Sequence, residues 1–312
     1  MKVLIGYDGS SYADAAVDDL HRAGLPSAVE ALVVSVGDAP IIPPLASHEI
    51  IEKACVGERV VSIVEHANRQ SSRALKQAAQ LAASASRRIK SYFPGWKVRG
   101  EGLAGAPASE LMRKAEEWGA DLIVVGSQGR SAIGRLILGS VSLKVASESR
   151  CSVRIGRRRD DRREHTEPRI LIGLDGSCGA ERAVRRVLMR AWPEGTELQI
   201  VAVDDGISPI RIADVVSTSG EHVREDTSVT ASRMIKLAAV RRLKVSAAIK
   251  QGDPQRVLIA EAREWEADCI FIGSSGFNKT PQDSSRRSVS TGLAINAECS
   301  IEIVRDRFQL RN

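Results

Sequence analysis

Val3-Leu4-Ile5-Gly6-Tyr7-Asp8-Gly9-Ser10 opens the chain, and 167 residues later it returns as Ile170-Leu171-Ile172-Gly173-Leu174-Asp175-Gly176-Ser177. In both copies an apolar run of strand length meets Asp-Gly-Ser, residues suited to a turn and a helix cap. Further matches follow in the same order. Glu117-Trp118-Gly119-Ala120-Asp121 reappears as Glu264-Trp265-Glu266-Ala267-Asp268 at an offset of 147. Gly105, Pro107, Gly126, Ser127 and Gly129 match Gly252, Pro254, Gly273, Ser274 and Gly276 at the same offset. Ser140-Val141-Ser142 and Cys151-Ser152 match Ser288-Val289-Ser290 and Cys299-Ser300 at 148. The chain is a tandem duplication. The fall in offset gives the first copy 20 extra residues before Gly105, which fit best after Val36, where Pro40, Pro43 and Pro44 mark a loop.

Within each copy, short β-branched runs alternate with longer helical patterns. Val3–Tyr7, Ala31–Val36, Lys97–Leu103, Asp121–Val125 and Ser152–Ile155 read as strands; Ala13–Ala23, Arg69–Tyr92, Ala108–Trp118 and Leu138–Glu148 read as helices. Ile170–Leu174, Glu197–Val203, Val245–Lys250, Cys269–Ile272 and Ile301–Val304 are the second set of strands. Ser10 and Ser140 suit N-caps, and Pro107 suits a first turn. Alternation of this kind predicts an α/β fold: two doubly wound domains with parallel strands and helices on both faces. The predicted division is 1–156, a charged linker over 157–168, and 169–312. Each copy ends in a strand that reads as a sheet edge, so the two domains are expected to pair within the chain.

The 312 residues suit two domains, with 43% apolar and 27% charged residues excluding disorder and disulfide-stapled miniproteins. Lys+Arg 45 against Asp+Glu 39 leaves a net charge of +6. With aromatics at only 4%, nucleic-acid binding is not expected. Five cysteines without a CxxC pair and the absence of a long apolar run predict reduced thiols, no membrane association and a cytoplasmic location. The five histidines have no metal-ligand spacing, so no metal site is expected.

In an open α/β sheet, ligands bind beyond the carboxyl ends of the strands. Asp8 and Gly9 follow the first strand there, Gly126-Ser127-Gln128-Gly129 follows the fourth, and Gly139-Ser140-Val141 opens the last helix. Glycines and a helix start are what a phosphate needs, although glycines also serve ordinary turns and Asp-Gly-Ser an ordinary cap. Gly126-x2-Gly129-x9-Gly139-Ser140, preceded by Asp121–Val125 and followed by Val141-Ser142 and Cys151-Ser152-Val153, resembles the universal stress protein family. Val3–Ser10 and Gly105-Ala106-Pro107 resemble it too, so the likeness spans both copies. The glycine–serine signature resembles that of the family's ATP-binding branch.

The resemblance implies a Rossmann-like sheet of five parallel strands per domain, of the adenine nucleotide alpha hydrolase-like kind. It also implies paired domains, a possible homodimer, protein partners, and stress resistance through nucleotide-dependent regulation. Carried over residue by residue, it places Gly6, Tyr7 and Asp8 beside adenine and ribose, with backbone of Val36 at the adenine edge. Val125, Gly126 and Gly129 line the ribose and first phosphates; Gly139, Ser140 and Val141 hold the outer phosphates of ATP, with Mg2+ as its companion ion. Arg130 and Arg135 lie in the same loop. In the second copy Asp175, Val203, Gly273, Gly276 and Ser288 stand at matching positions. Arg287, however, replaces Gly139 next to Arg286, and Pro281 removes an amide from the loop. ATP is therefore expected in the first copy and not the second. Neither the Ser-Gly-Gly-x-Asp-Ser loop of ATP pyrophosphatases nor the His-x-Gly-His pair of adenylyltransferases is present, so no enzyme is expected beyond weak ATP hydrolysis. A scaffold without nucleotide is the alternative.

Overall fold

The computed structural model describes residues 1–39, 58–129, 138–159, 166–175, 177–204, 243–274 and 289–305. The first repeat runs β1 (Lys2–Gly6), α1 (Ser11–Asp19), β2 (Glu30–Gly37), α2 (Glu58–Tyr92), β3 (Lys97–Ala104), α3 (Pro107–Trp118), β4 (Leu122–Gly126), α4 (Ser140–Glu148) and β5 (Ser152–Gly156). The second runs β6 (Arg169–Leu174), α5 (Cys178–Leu188), β7 (Glu197–Asp204), β8 (Lys244–Gln251), α6 (Pro254–Glu264), β9 (Cys269–Gly273), α7 (Val289–Asn296) and β10 (Ser300–Val304). All strand pairs inside a repeat are parallel, in the orders β3-β2-β1-β4-β5 and β10-β9-β6-β7-β8. The order reverses at β1, between β2 and β4, which opens a crevice beyond the strand ends there.

The last strands of the two repeats pair with each other, as expected, so neither is left as an edge. β5 pairs antiparallel with β10, joining Ile155 to Ile301, Arg154 to Glu302 and Val153 to Ile303, so the repeats share one ten-stranded sheet. The extra length of the first repeat falls between its second and third strands: β2 and β7 begin 167 residues apart, β3 and β8 only 147. Residues 40–57, which contain much of this insertion, lie outside the described residues.

Local chemistry sets the element ends. Ser10 and Ser177 cap α1 and α5, accepting the amides of Ala13 and Ala180 at 3.1 and 3.2 Å. Ser140 is not a cap. Gly139 holds the extended N-cap backbone and Ser140 is the first helical residue, because Gly139 N–H is donated to Ser127 O at 2.8 Å and turns the chain into the helix. α1 stops earlier than its apolar spacing predicts. It tightens into a single 3-10 turn at Leu20–Arg22 and is broken by Gly24 at φ +60°. α2, by contrast, begins eleven residues before Arg69. It lies close on the sheet because Gly37, Gly100 and Gly102 face it; a Cβ on Gly102 would stand 2.3 Å from the Ala79 amide.

The two faces of the sheet differ. Under α3, α4, α6 and α7 one apolar core crosses both repeats, from Leu4 and Ile123 through Val153 and Ile301 to Ile270 and Leu171. On the other face the apolar residues form two clusters, one around Ile5 and Leu20, one around Ile172 and Phe271. Between them sit buried charges. Arg154, fully buried, donates to Asp19 Oδ2 at 2.6 Å and to Glu302 Oε2 at 3.2 Å. Arg190 pairs with the other oxygen of Glu302 and donates to Ala23 O. Burial opposes the charge on Arg154, yet Asp19 and Glu302 hold its guanidinium protonated well beyond its usual range.

Two arginines brace the junction reciprocally. Arg157 donates to Ala294 O in α7 at 2.5 Å, and Arg305 donates to Ala146 O in α4. Each therefore reaches into the other repeat's last helix. Burial pulls the Arg305 guanidinium down to about 10. The segment read as a charged linker thus begins inside the interface: Arg157 braces α7, and Arg159 pairs with Asp268 at 3.2 Å. Residues 160–165 lie outside the described residues.

At the far end of this interface Trp192 lies over Gly24, where a Cβ would stand 2.5 Å from the indole ring. Gly24→Ala adds that methyl at a positive φ, so we expect a loss of about 1–3 kcal/mol. Urea unfolding followed by tryptophan emission measures it, and unchanged stability contradicts this packing.

Candidate functional site

The crevice at the β1–β4 switch point is a cavity of about 740 Å³. Gly6, Tyr7 and Asp8 enter it from β1, Val36 from β2, and Val125, Gly126 and Gly129 from the end of β4. Gly139, Ser140 and Val141 enter at the start of α4. The structure thus brings together the ten residues of the first repeat that the resemblance placed at the nucleotide. Arg130 and Arg135 lie outside the described residues.

The geometry separates their roles. Gly6 admits Leu111 of α3, whose Cδ1 would stand 3.0 Å from a Cβ. A Cβ on Gly126 would meet Tyr12 O at 2.6 Å, so this glycine lets β4 approach α1. Gly129 and Gly139 are different: they shape the loop itself. A Cβ on Gly129 would point at Asp8 Oδ2, 3.1 Å away, and one on Gly139 would press on Gln128 Cα at 3.2 Å. Since Gly139 spends its own amide on Ser127 O, the donors at this end are the first-turn amides of Ser140, Val141 and Ser142, which receive no side-chain cap among the described residues. The hydroxyl of Ser142 is turned away to Gly126 O at 2.6 Å and ties α4 to the end of β4.

Asp8 accepts the Ser10 amide at 3.0 Å, which fixes its carboxylate at the cavity rim. The Tyr7 hydroxyl donates to Asp14 at 2.7 Å, and Asp14 is shared with Arg88 of α2. Burial first, then the hydrogen bond to Asp14, push the Tyr7 phenol up to about 12. Tyr7 therefore lines the site while its hydroxyl serves the α1–α2 contact. Sequence reasoning missed the wall supplied by α2, where Ala74, Gln77, Ala78 and Leu81 face the cavity, and the buried Gln128. The glycines of β2 and β3 opposite an alanine-rich helix were the available signal for that wall.

The second repeat reproduces the strand-end geometry. Asp175 accepts the Ser177 amide at 3.0 Å, Gly173 faces Leu258 as Gly6 faces Leu111, and Gly273 lies against Gly179. Val203 is next to last in β7 as Val36 is in β2. Gly276, Ser288, Pro281, Arg286 and Arg287 lie outside the described residues. A smaller cavity of about 470 Å³ lies between α1 and Arg157–Arg159. Its aspartates are engaged by arginines: Asp14 and Asp18 by Arg88, Asp19 by Arg154, Asp268 by Arg159.

The sequence profile described as the Universal stress protein family matches residues 57–157 and again residues 168–305. The chain belongs to the universal stress protein family. A universal stress protein of Mycolicibacterium smegmatis is 24% identical over 306 residues, 98% of this chain and 97% of that one. Universal stress protein YxiE of Bacillus subtilis is 28% identical over 157 residues, 50% of this chain and 98% of its own. Among solved structures, a universal stress protein from Archaeoglobus fulgidus covers 98% of both chains with a TM-score of 0.62 at 18% identity, a likeness of fold. This universal stress protein is thus of the tandem kind, with both repeats in one sheet. Among the described residues no helix is long and apolar enough to cross a membrane.

The Tyr7–Asp14 contact gives the protein a measurable alkaline signature. Because the folded state holds the phenolic proton more tightly, this contribution to stability is whole below pH about 10, the unfolded value, and is lost as pH rises through about 12. Phenolate absorbance should show a late ionisation step near pH 12, and Tyr7→Phe should remove that step. A late step that survives the substitution contradicts the assignment.

Proposed function

We propose that the first repeat binds ATP and that the protein acts as a nucleotide-dependent regulator in a stress response. One observation carries this reading: the switch-point cavity ends at a helix start that no side chain caps among the described residues, with Gly129 and Gly139 shaping the approach. Its volume lies in the range of roughly 300–1,000 Å³ typical of small-molecule sites. The residues present fit the ligand. First-turn amides of Ser140, Val141 and Ser142, with the positive end of the α4 dipole, suit the outer phosphates, whose companion ion would be Mg2+. Asp8 suits the ribose hydroxyls, the backbone of Val36 the adenine edge, and the apolar wall of α2 the base. Val125, Gly126 and Gly129 leave room for the ribose and first phosphates.

In the second repeat Arg287 stands where Gly139 should, and Pro281 withdraws a donor. That repeat is a partner domain without nucleotide. Bound ATP supplies a reversible signal of nucleotide level. Turnover is slow, because in this reading Asp8 serves the ribose rather than the outer phosphates, and a well-placed acid–base group is what adds ~10²–10⁴-fold.

Calorimetric titration should give one ATP per chain, and Gly139→Arg should weaken binding at least about 100-fold, equivalent to about 2.7 kcal/mol, with the fold retained. Hydrolysis should run far below the enzyme median of about 10 per second. Two equivalent sites, full binding by Gly139→Arg, or turnover at that median contradicts the proposal.

A further inference from the structure

The offset between repeats maps Ser152 onto Ser300, Arg154 onto Glu302 and Arg157 onto Arg305. Because Arg154 pairs directly with Glu302 in the antiparallel ladder, the pseudo-twofold axis relating the repeats passes between these two side chains. Much of the interface obeys that symmetry. The Arg157 amide donates to Ser300 Oγ at 3.0 Å and the Arg305 amide to Ser152 Oγ at 3.2 Å, and their guanidinium groups reach Ala294 and Ala146 of the opposite helices. These contacts would serve two copies of either repeat equally well.

The remaining contacts break the symmetry, and they do so together. On the axis a cation faces an anion. Beside it Asp19 accepts Ser300 Oγ at 2.8 Å, whereas the position equivalent to Asp19 holds Arg186. Arg190 reaches across to Ala23 O, although Ala23 is its own counterpart in the first repeat. Trp192 fits over Gly24 and Ala191 N–H donates to Gly24 O at 2.8 Å, whereas the counterparts of Gly24 and Trp192 are Ala191 and Leu25.

We propose that these five positions make the inter-repeat surface self-excluding, so that each repeat accepts the other and rejects a copy of itself. Two first repeats would set Arg154 against Arg154 and leave a gap where Leu25 replaces Trp192. Two second repeats would set Glu302 against Glu302 and drive each Trp192 into the Ala191 Cβ, the contact that Gly24 avoids. Charge and shape discriminate in the same direction, which is how specific interfaces reject the wrong partner. The surface fits one partner, a repeat of complementary polarity, and further assembly of the chain must use other faces. This inference is independent of nucleotide binding.

The test uses the full chain in two variants. Arg186→Asp, Arg190→Ala, Ala191→Gly, Trp192→Leu and Glu302→Arg together give the second repeat the first repeat's surface. We expect the single unfolding transition to split and the sedimentation coefficient to fall as the halves separate. Adding Asp19→Arg, Ala23→Arg, Gly24→Ala, Leu25→Trp and Arg154→Glu exchanges the two surfaces, and should restore one transition and the original sedimentation coefficient. A first variant that pairs like the original chain, or an exchanged variant no better paired than the first, overturns the proposal. Failure of both to fold counts as the second of these results.

Discussion

Arg154 and Glu302 meet in the middle of a ten-stranded sheet, out of reach of water, and the architecture follows from keeping them together. A buried charge that loses its partner costs about 3–5 kcal/mol, so the β5–β10 ladder has one acceptable register. That register puts Asp19 and Arg190 beside the pair and places the apolar sides of β5 and β10 on the opposite face, where one core runs through both repeats. It also carries Arg157 and Arg305 to the carbonyls of α7 and α4. What would be two α/β layers becomes a single body with a polar centre on one face and an apolar centre on the other.

The switch-point cavity depends on this body through α4. Arg305 holds that helix near its C-terminal end, α7 flanks it, and Ser142 ties its first turn to Gly126. Its N-terminus therefore meets the cavity at a fixed distance from Asp8 and the end of β1. A site for phosphate needs such preorganisation, because amides that must first be ordered bind weakly. Cations at the C-terminal end of a helix and anions at its N-terminal end also both favour the same dipole.

Much of this was legible in the sequence because repetition made it so. Val3–Ser10 and Ile170–Ser177 announced two strand–turn–helix units, and the changes in offset located an insertion between the second and third strands without reference to structure. The cavity residues were legible for the same reason, since glycine and serine spacing reflects backbone geometry. Other features were not. The cap of α4 moved from Ser140 to Gly139 because a tertiary hydrogen bond to Ser127 O decided it. Arg157 looked like linker and is interface, since its partners Ala294 and Cys299 are more than a hundred residues away. Arg154 and Glu302 look like ordinary strand residues until the ladder sets them opposite each other. The division of labour among the glycines, Gly126 for packing and Gly139 for the loop, likewise needs three dimensions.

Hydrogen exchange on the full chain with and without ATP tests the central claim most directly, because it reads both repeats in one experiment. The account predicts slower exchange over residues 6–8, 125–129 and 138–143, with residues 173–177 and 273–274 unchanged. Equal protection in the two repeats, protection confined to the second, or none in either, contradicts it.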